Sequence, residues 1–348
     1  MKRLLAPNAV LSGAKQLGYA WQRHAFNWRA ARYFNNRSKR SDQRVLFARA
    51  PEDRYFYDTL LDWIPRHWPE AAKYIELQPL PCTGVDWRRI GAFYAWIHDP
   101  VRERSPETYA LVHRVEDQCR QFGIPVTSPA DVLSNSVRSR MLDLIAGPGI
   151  RVPRLVEIDD WDAFSEDFGG LSLPLIIRPA WGHGKAMHLI RDRRDLTDEI
   201  RTAFAQAVAV EFIDLKDEDG LYRKYRYVMI GDTGIPRHML ASQDWKTDGE
   251  SYVERPAIRA EERTYIEAPD PHHTALDAAR RRLGFDIVAF DYGLDRNSGL
   301  VVWEANPFPD LSYAENPIFP YKRPMADRIC RTLFAFHFDR AGIPLPDG

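Results

Sequence analysis

The last third of the sequence contains an oxygen-rich hairpin pattern, which constrains the fold more than any other feature. Two apolar runs flank the turn-forming residues 295–299, and this arrangement predicts a β-hairpin. Asp291 lies in the first run, and Glu304 and Asn306 end the second. Residues two apart on a strand share a face, and the hairpin can bring Asp291 opposite them. Two carboxylates and an amide oxygen suit Mg²⁺, with Mn²⁺ as an alternative metal. A turn cap at Asp291 and an ion pair at Glu304 are the simpler alternative.

Composition indicates a globular protein of two or three lobes. The 348 residues are 45% hydrophobic and 12% aromatic, which is enough for a large core. The formal net charge is -1, so no overall field attracts nucleic acid, and no nucleic-acid partner is predicted. Cys82, Cys119 and Cys330 follow no metal or disulfide spacing, which favours a reducing compartment and a cytoplasmic protein. No apolar run approaches the roughly eighteen residues of a membrane span.

Residues 1–41 form a one-sided basic segment with nine Lys or Arg residues and no Asp or Glu. Val10, Leu17, Trp21 and Trp28 recur at helical spacing, so the segment could be an amphipathic helix on an anionic membrane or an acidic partner. We favour the alternative, a basic helix packed on the main body by its aromatic stripe. The segment also resembles an organellar transit peptide, although it shows no cleavage site, and it lacks the apolar region of a secretory signal.

The middle of the chain alternates between short apolar runs and amphipathic stretches, which predicts a parallel sheet in its first part. The predicted strands are 44–50, 73–77, 92–97, 175–178, 187–190 and 208–213. The predicted helices are 55–67, 106–122, 134–146 and 195–206. A new unit therefore begins near residue 130.

A strand followed by a glycine-containing loop suggests a phosphate site. Arg178 ends the strand, and Gly182 and Gly184 allow backbone N–H groups to approach phosphate oxygens. His183 and Lys185 could add positive charge. An ordinary hairpin explains the same residues when they are taken alone.

In their order along the chain, these motifs resemble the ATP-grasp superfamily, in particular the glutathione synthetase-like and ribosomal-protein glutamate ligase-like carboxylate-amine ligases. The resemblance covers roughly residues 130–315, and 44–128 resemble the smaller domain that precedes the fold. It implies an α/β fold in which two lobes sandwich ATP, preceded by a small Rossmann-like α/β domain. The implied division is a helical basic segment at 1–43, the preceding domain at 44–130, a small lobe with the flap at 131–210 and a large lobe with the metal site at 211–348.

The same resemblance implies roles for single residues. Asp291, Glu304 and Asn306 would bind the metal, and Arg178 and Arg140 stand where many members carry Lys to hold phosphate. Other implied contacts to ATP come from the flap (Gly182, His183, Gly184 and Lys185), from the hinge strand (Glu211, Phe212 and Ile213) and from Arg226.

The substrate residues are harder to name from the sequence. His238 is a candidate base and Trp245 a candidate pocket wall, and a structural role is the common alternative for a lone His. Ser242, Lys246, Asp310, Ser312 and Tyr313 are further candidates to face the substrate. D-alanine:D-alanine ligase has an Arg two residues before the first metal-binding Asp, whereas this chain has Ala289, so Arg237 is a candidate replacement.

The implied activity is an ATP- and Mg²⁺-dependent ligation of a small-molecule or peptide carboxylate to an amine through an acylphosphate. Two alternatives remain open: a kinase that phosphorylates a small molecule without ligation, and a degenerate nucleotide-binding scaffold. The replacement of Lys by Arg at 140 and 178 and the missing Arg at 289 support the scaffold, and the intact metal trio opposes it. Homodimers are common in the superfamily.

Overall fold

A computed structural model gives the fold of the chain. It describes residues 40–50, 58–182, 186–204, 206–247, 252–296, 299–309, 311 and 319–346, together with Trp21, Ala25, Trp28, Tyr33 and Phe34. His183, Gly184 and Lys185 of the predicted flap lie outside the described residues, as do Asp310, Ser312 and Tyr313.

The first sheet is parallel, as the alternating pattern predicts. Its strands are β1 (Arg44–Arg49), β2 (Ile75–Pro79), β3 (Ile90–Trp96) and β4 (Val126–Thr127), in the order β2-β1-β3-β4. The helices of this region are α1 (Asp58–His67), α2 (Val101–Arg104) and α3 (Pro106–Gln121). The strands β1 and β3 are almost wholly buried, because helices cover a parallel sheet on both faces. Helix α3 begins at Ser105, whose hydroxyl accepts the Thr108 N–H.

The second sheet is small and antiparallel. It consists of β6 (Leu155–Ile158), β7 (Leu175–Pro179), β8 (His188–Ile190) and β9 (Ala207–Glu211), in the order β6-β9-β7-β8. Its helices are α5 (Trp161–Asp167) and α6 (Asp198–Thr202). Helix α6 is shorter than predicted, because a capped 3₁₀ turn ends at Asp195 and Thr197 caps a separate helix.

The third sheet carries the predicted hairpins. Its strands are β5 (Ile150–Arg151), β10 (Tyr222–Ile230), β11 (Thr233–Ser242), β12 (Ile287–Leu294) and β13 (Leu300–Asn306), in the order β11-β10-β12-β13-β5. Helices α4 (Arg138–Ile145), α7 (Pro256–Glu267), α8 (His273–Leu283) and α9 (Arg323–Arg340) belong to this part.

The region 138–151 contacts both the second and the third sheet. On the side of the second sheet, the Ser139 hydroxyl donates to the Glu157 carboxylate of β6 at 2.6 Å. The Arg282 side chain on α8 donates to the carbonyl groups of Leu144 and Ile145, at 2.7 and 2.8 Å. The strand β5 pairs with β13. The first strand of the small sheet begins at Leu155, and the lobe boundary at residue 131 stays a prediction.

Helix α9 joins the first and third sheets into one core. Phe334 is fully buried, and its ring centroid lies 5.8 Å from that of Phe47 on β1 and 6.3 Å from that of Trp63 on α1. Val228 of β10 belongs to the same apolar cluster. The shared core fixes the loop after β3 beside the third sheet.

The basic N-terminal segment is only partly described. Trp21 and Trp28 are 72% and 58% exposed, whereas Phe34 is 5% exposed and joins the main core. The favoured prediction, an aromatic stripe packed on the body, is therefore wrong for the two tryptophans; Val10 and Leu17 lie outside the described residues. In the described part of the chain, no helix combines the length and the hydropathy that a membrane crossing requires.

We expect Phe334→Ala to lower the free energy of unfolding by about 3–5 kcal/mol, because it leaves a cavity where the two sheets meet. Chemical denaturation measures the change. Asp339→Ala, an exposed position on the same helix, is the matched control. A loss below about 1 kcal/mol for Phe334→Ala would contradict a shared core.

Candidate active site

A cavity of about 570 Å³ lies between the second and third sheets. Its apolar wall includes Ile176 of β7, Val210 of β9, Phe212 after β9 and Trp303 of β13. Its polar end includes the three predicted metal ligands. The same space thus has one end suited to a planar apolar group and another suited to charge.

A β-bulge in β13 allows one strand to place both apolar and polar side chains in the cavity. Asp291 pairs with Glu304, but the next residue, Tyr292, pairs with Val302, so Trp303 is an extra residue. Val301 and Trp303 line the cavity before the irregularity, and Glu304 and Asn306 line it afterwards. In a regular strand, side chains alternate between the two faces, so either the first pair or the second pair would point away from the cavity.

Asp291 forms a bidentate ion pair in the cavity. Its two carboxylate oxygens accept bonds from Arg226 Nε at 2.6 Å and Nη2 at 2.7 Å, across the β10–β12 ladder. Lys224 Nζ lies 3.7 Å from the same carboxylate, which is 4% exposed. A bidentate, charge-assisted pair of this kind fixes both side chains in orientation.

The donor set of the three predicted ligands fits a magnesium ion. Asp291 and Glu304 are register partners on neighbouring strands, and Asn306 follows on β13, with its Oδ1 accepting the Phe308 N–H at 2.8 Å. Each carboxylate oxygen of Asp291 keeps a second acceptor position beside its bond to Arg226. Among the described residues, no group of three or more His, Cys, Asp or Glu side chains could hold a metal ion. Two carboxylates and an amide oxygen suit magnesium, which usually keeps several water ligands.

Arg178 is a buried cation for which the described residues provide no hydrogen-bonded counter-ion. It is 9% exposed and lines the cavity, and its Nε finds no hydrogen-bond partner among the described residues. Burial and the nearby Arg138 lower the pKa of Arg178 to about 9, against the opposing effect of Glu304 and Asp291. A buried donor left unpaired is costly, so the arrangement favours an anionic ligand at this point.

The helix that precedes the second sheet contributes Arg138, whereas the sequence predicts Arg140. Arg140 is exposed and does not line the cavity. Arg138 is 4% exposed, and its guanidinium donates to the carbonyl groups of Pro179 and Gly182, at 3.1 and 2.9 Å. Gly182 has φ +89°, in the left-handed region, and so it can turn its carbonyl group towards Arg138. Arg138 thereby holds the base of the predicted flap.

The predicted hinge lies at the apolar end of the cavity. The Glu211 carboxylate accepts the Arg154 N–H at 2.9 Å and pairs with Arg151 at 3.1 Å. Its own N–H donates to the Arg154 carbonyl group. The Ile213 N–H has no acceptor among the described residues, and Phe212 and Ile213 both line the cavity. A ligand edge at Ile213 would complete its hydrogen bonding.

The structure places some of the predicted substrate residues in the cavity wall and others outside it. Trp245 and Lys246 line the cavity, and the Trp245 ring packs edge-on against Phe212 at 6.0 Å. Ser242 is buried and accepts the Asp244 N–H.

His238 is the cross-strand partner of Arg226 and does not line the cavity. Burial and the cations Arg226, Arg237 and Lys224 hold the pKa of His238 well below 6.5, so it is a poor general base. Arg237, next to it on β11, does not line the cavity either.

Sequence reasoning missed several residues of the cavity. Seven Lys and Arg side chains line it against the carboxylates of Glu211, Asp291 and Glu304, a surplus of four positive charges among the described residues. His98 and Arg104 reach it from the first domain, and the His98 ring lies 4.3 Å from that of Phe308. No local pattern signals these two residues, because only the shared core places their loop here. The surplus favours a polyanion.

Solved structures of similar fold decide the fold class. The ligase PsnB bound to a minimal precursor superposes with a TM-score of 0.54 at 15% identity, over 84% of this chain and 99% of that chain. The D-alanine–D-alanine ligase of Bacillus anthracis in complex with ATP gives 0.54 at 15%, over 86% and 96%. This chain has the ATP-grasp fold.

A further structure with the ATP-grasp fold is the VanG D-Ala:D-Ser ligase of Enterococcus faecalis, with a TM-score of 0.54 at 13% identity, over 85% of this chain and 99% of that chain. The predicted α/β class and the predicted ATP-grasp fold are thus confirmed. No family model matches the chain, and no curated protein sequence matches it either.

We expect Arg178→Met to raise the midpoint of thermal unfolding of the ligand-free protein by about 2–4 °C, since it removes a buried, unpaired cation. The same variant should lose the thermal stabilisation that Mg²⁺ and a non-hydrolysable ATP analogue give the native protein. Differential scanning fluorimetry measures both. Arg140→Met, which removes an exposed Arg outside the cavity, should change neither value. An Arg178→Met protein that the nucleotide still stabilises fully would exclude Arg178 from the phosphate site.

Proposed function

We propose that this protein is an ATP- and magnesium-dependent ligase that joins a carboxylate to an amine through an acylphosphate. The observation that carries the proposal is the polar end of the cavity, where Asp291, Glu304 and Asn306 face the buried cations Arg138 and Arg178. Oxygen ligands beside unneutralised cations suit a magnesium-bound triphosphate. The solved structures of similar fold are ligases, and some of them are described with ATP, ADP, AMPPNP or Mg.

The proposed orientation of ATP follows the polarity of the cavity. The adenine ring would lie among Ile176, Phe212 and Trp303, with its edge at the Ile213 N–H. The phosphates would then point towards Arg178 and Arg226. Magnesium held by Asp291, Glu304 and Asn306 would neutralise charge on the phosphate oxygens and on the carboxylate oxygen that attacks the γ-phosphorus.

The proposed reaction has two steps. A carboxylate oxygen attacks the γ-phosphorus, and the bond to ADP breaks. The amine nitrogen then attacks the acyl carbon of the acylphosphate, phosphate leaves, and the nitrogen loses a proton. Arg178 and Arg226 would hold the γ-phosphate in line, and the flap held at its base by Arg138 would exclude water, which otherwise hydrolyses the acylphosphate.

The proposed substrates are given by chemical class only. PsnB is described with a precursor peptide, and other ligases of similar fold are named for D-alanine. Both a peptide and a small amino acid are therefore candidates for the carboxylate or the amine. His98 and Arg104, which the first domain contributes, lie where an anionic substrate could reach the metal end.

The proposal predicts phosphate release that requires both an acid and an amine. The native protein is incubated with ATP, Mg²⁺ and pools of amino acids, small carboxylates and peptides, with hydroxylamine as a trap. We expect a hydroxamate of one acid class, because hydroxylamine replaces the amine at an acylphosphate. Glu304→Gln should lower the rate at least about a hundredfold, since it replaces a proposed carboxylate ligand of the metal with a neutral amide. Glu107→Gln, an exposed position on α3, is the matched control.

The alternative functions give different products in the same assay. A kinase would yield a stable phosphorylated compound without any need for an amine. A nucleotide-binding scaffold would bind ATP and release no phosphate with any pool. Either result would contradict the ligase proposal.

A further inference from the structure

A cluster of tyrosines lies directly behind the metal end of the cavity. Tyr225 and Tyr227 of β10 and Tyr292 of β12 alternate with Arg226 and Asp291, and so they point to the opposite face of the sheet. Tyr225 and Tyr292 are register partners, and their rings stack at 5.2 Å. None of the three lines the cavity. The proposed reaction therefore uses none of them directly.

A buried carboxylate anchors this cluster. The Tyr292 hydroxyl donates to Asp270 Oδ2 at 2.5 Å, and Asp270 Oδ1 accepts the His272 N–H at 2.8 Å. Tyr292 is 2% exposed and Asp270 6% exposed. Burial and the neighbouring Tyr265 and Asp270 raise the pKa of Tyr292, so the hydroxyl stays protonated and remains a donor. Asp270 lies in the connection between α7 and α8, and it thus ties β12 to these helices.

Tyr265 and Tyr292 each restrict the backbone of one partner of the Arg226–Asp291 ion pair. Tyr292 follows Asp291 in the chain, so a fixed Tyr292 ring limits the backbone freedom of Asp291. The Tyr265 hydroxyl donates to the Arg226 carbonyl group at 3.2 Å and lies 3.4 Å from the Tyr292 hydroxyl. Two neighbouring tyrosines, each with its own hydrogen bond, therefore hold the backbone on both sides of the Arg226–Asp291 pair.

The sheet itself is irregular at this point. The β12–β13 register shifts between Asp291 and Tyr292, and the β10–β11 register shifts between Arg226 and Tyr227. A bulge disrupts the ladder bonds that would otherwise define the strand position. Side chains on the face of the sheet opposite the cavity can fix the strand position instead.

We propose that Asp270, Tyr265 and Tyr292 are positioning residues for the metal-binding edge of the site. Their hydrogen bonds hold Asp291 opposite Glu304 through the bulge. The proposal rests on the proposed function, because it concerns the same cation site. It assigns a role in binding to residues that touch neither the nucleotide nor the metal.

The test measures Mn²⁺ affinity in the full chain saturated with AMP-PNP, by isothermal titration at a temperature well below unfolding. We expect Tyr292→Phe to weaken Mn²⁺ binding about tenfold and to leave metal-free AMP-PNP affinity within about twofold. Tyr225→Phe is the matched control: it removes a hydroxyl from the stacked partner ring, whose hydroxyl makes no hydrogen bond among the described residues. Asp270→Asn, which retains one acceptor oxygen, should give an intermediate loss.

Each outcome has one meaning. Equal Mn²⁺ affinity in native, Tyr292→Phe and Asp270→Asn proteins would overturn the positioning role, even if the two variants unfold at lower temperature. Equal losses in Tyr292→Phe and Tyr225→Phe would overturn it as well, since they would indicate general loosening of the cluster. A native protein that binds no AMP-PNP would instead overturn the proposed function, and the positioning role with it.

Discussion

The bidentate pair between Arg226 and Asp291 is the interaction on which the rest of the site depends. It joins β10 to β12 at the centre of the third sheet, with the Asp291 carboxylate almost fully buried. A buried carboxylate without such a partner would be strongly destabilising. The pair therefore allows an acid, which we propose as a metal ligand, to be built into a core strand. Among the described residues, no acid forms an ion pair with the buried Arg178, which makes an anionic ligand favourable at this end.

Three separate parts of the chain have to meet to form this site. The second sheet supplies Arg178, the third sheet supplies the oxygen ligands, and the loop after β3 supplies His98. Helix α9 packs the first sheet against the third, so the His98 loop is held by the same core as β10. The bulge at Trp303 then places apolar and acidic side chains of one strand in one cavity. Packing of distant elements, and not any one motif, determines the cavity.

Much of the fold could be predicted from the sequence because its signals are local. The hairpin at 295–299 and the placement of Asp291 opposite Glu304 follow from apolar alternation and turn residues. The parallel first sheet follows from strand and helix alternation. The predicted helix 195–206 is too long. The capping box at Asp192 and the cap at Thr197 divide this part of the chain into a 3₁₀ turn and the short helix α6.

The rest of the site depends on contacts between distant residues. Arg140 and Arg138 lie on one short helix, and only the position of the Pro179 and Gly182 carbonyl groups decides that Arg138 faces inward. In a regular strand, Trp303 would lie on the face opposite Glu304 and outside the cavity. No sequence pattern indicates the bulge that brings Trp303 to the cavity face. The low pKa of His238 arises first from its burial and then from nearby cations, among them Arg226 and Lys224 on the neighbouring strand. Its weakness as a base therefore depends on packing that the sequence around it does not reveal.

The most direct test of the central claim is a crystal structure of the protein with AMP-PNP and Mg²⁺. The account predicts the adenine edge at the Ile213 N–H, phosphate oxygens within hydrogen-bond distance of Arg178, and Mg²⁺ on Asp291, Glu304 and Asn306. Phosphates bound away from Arg178, or a metal bound without Glu304, would contradict it.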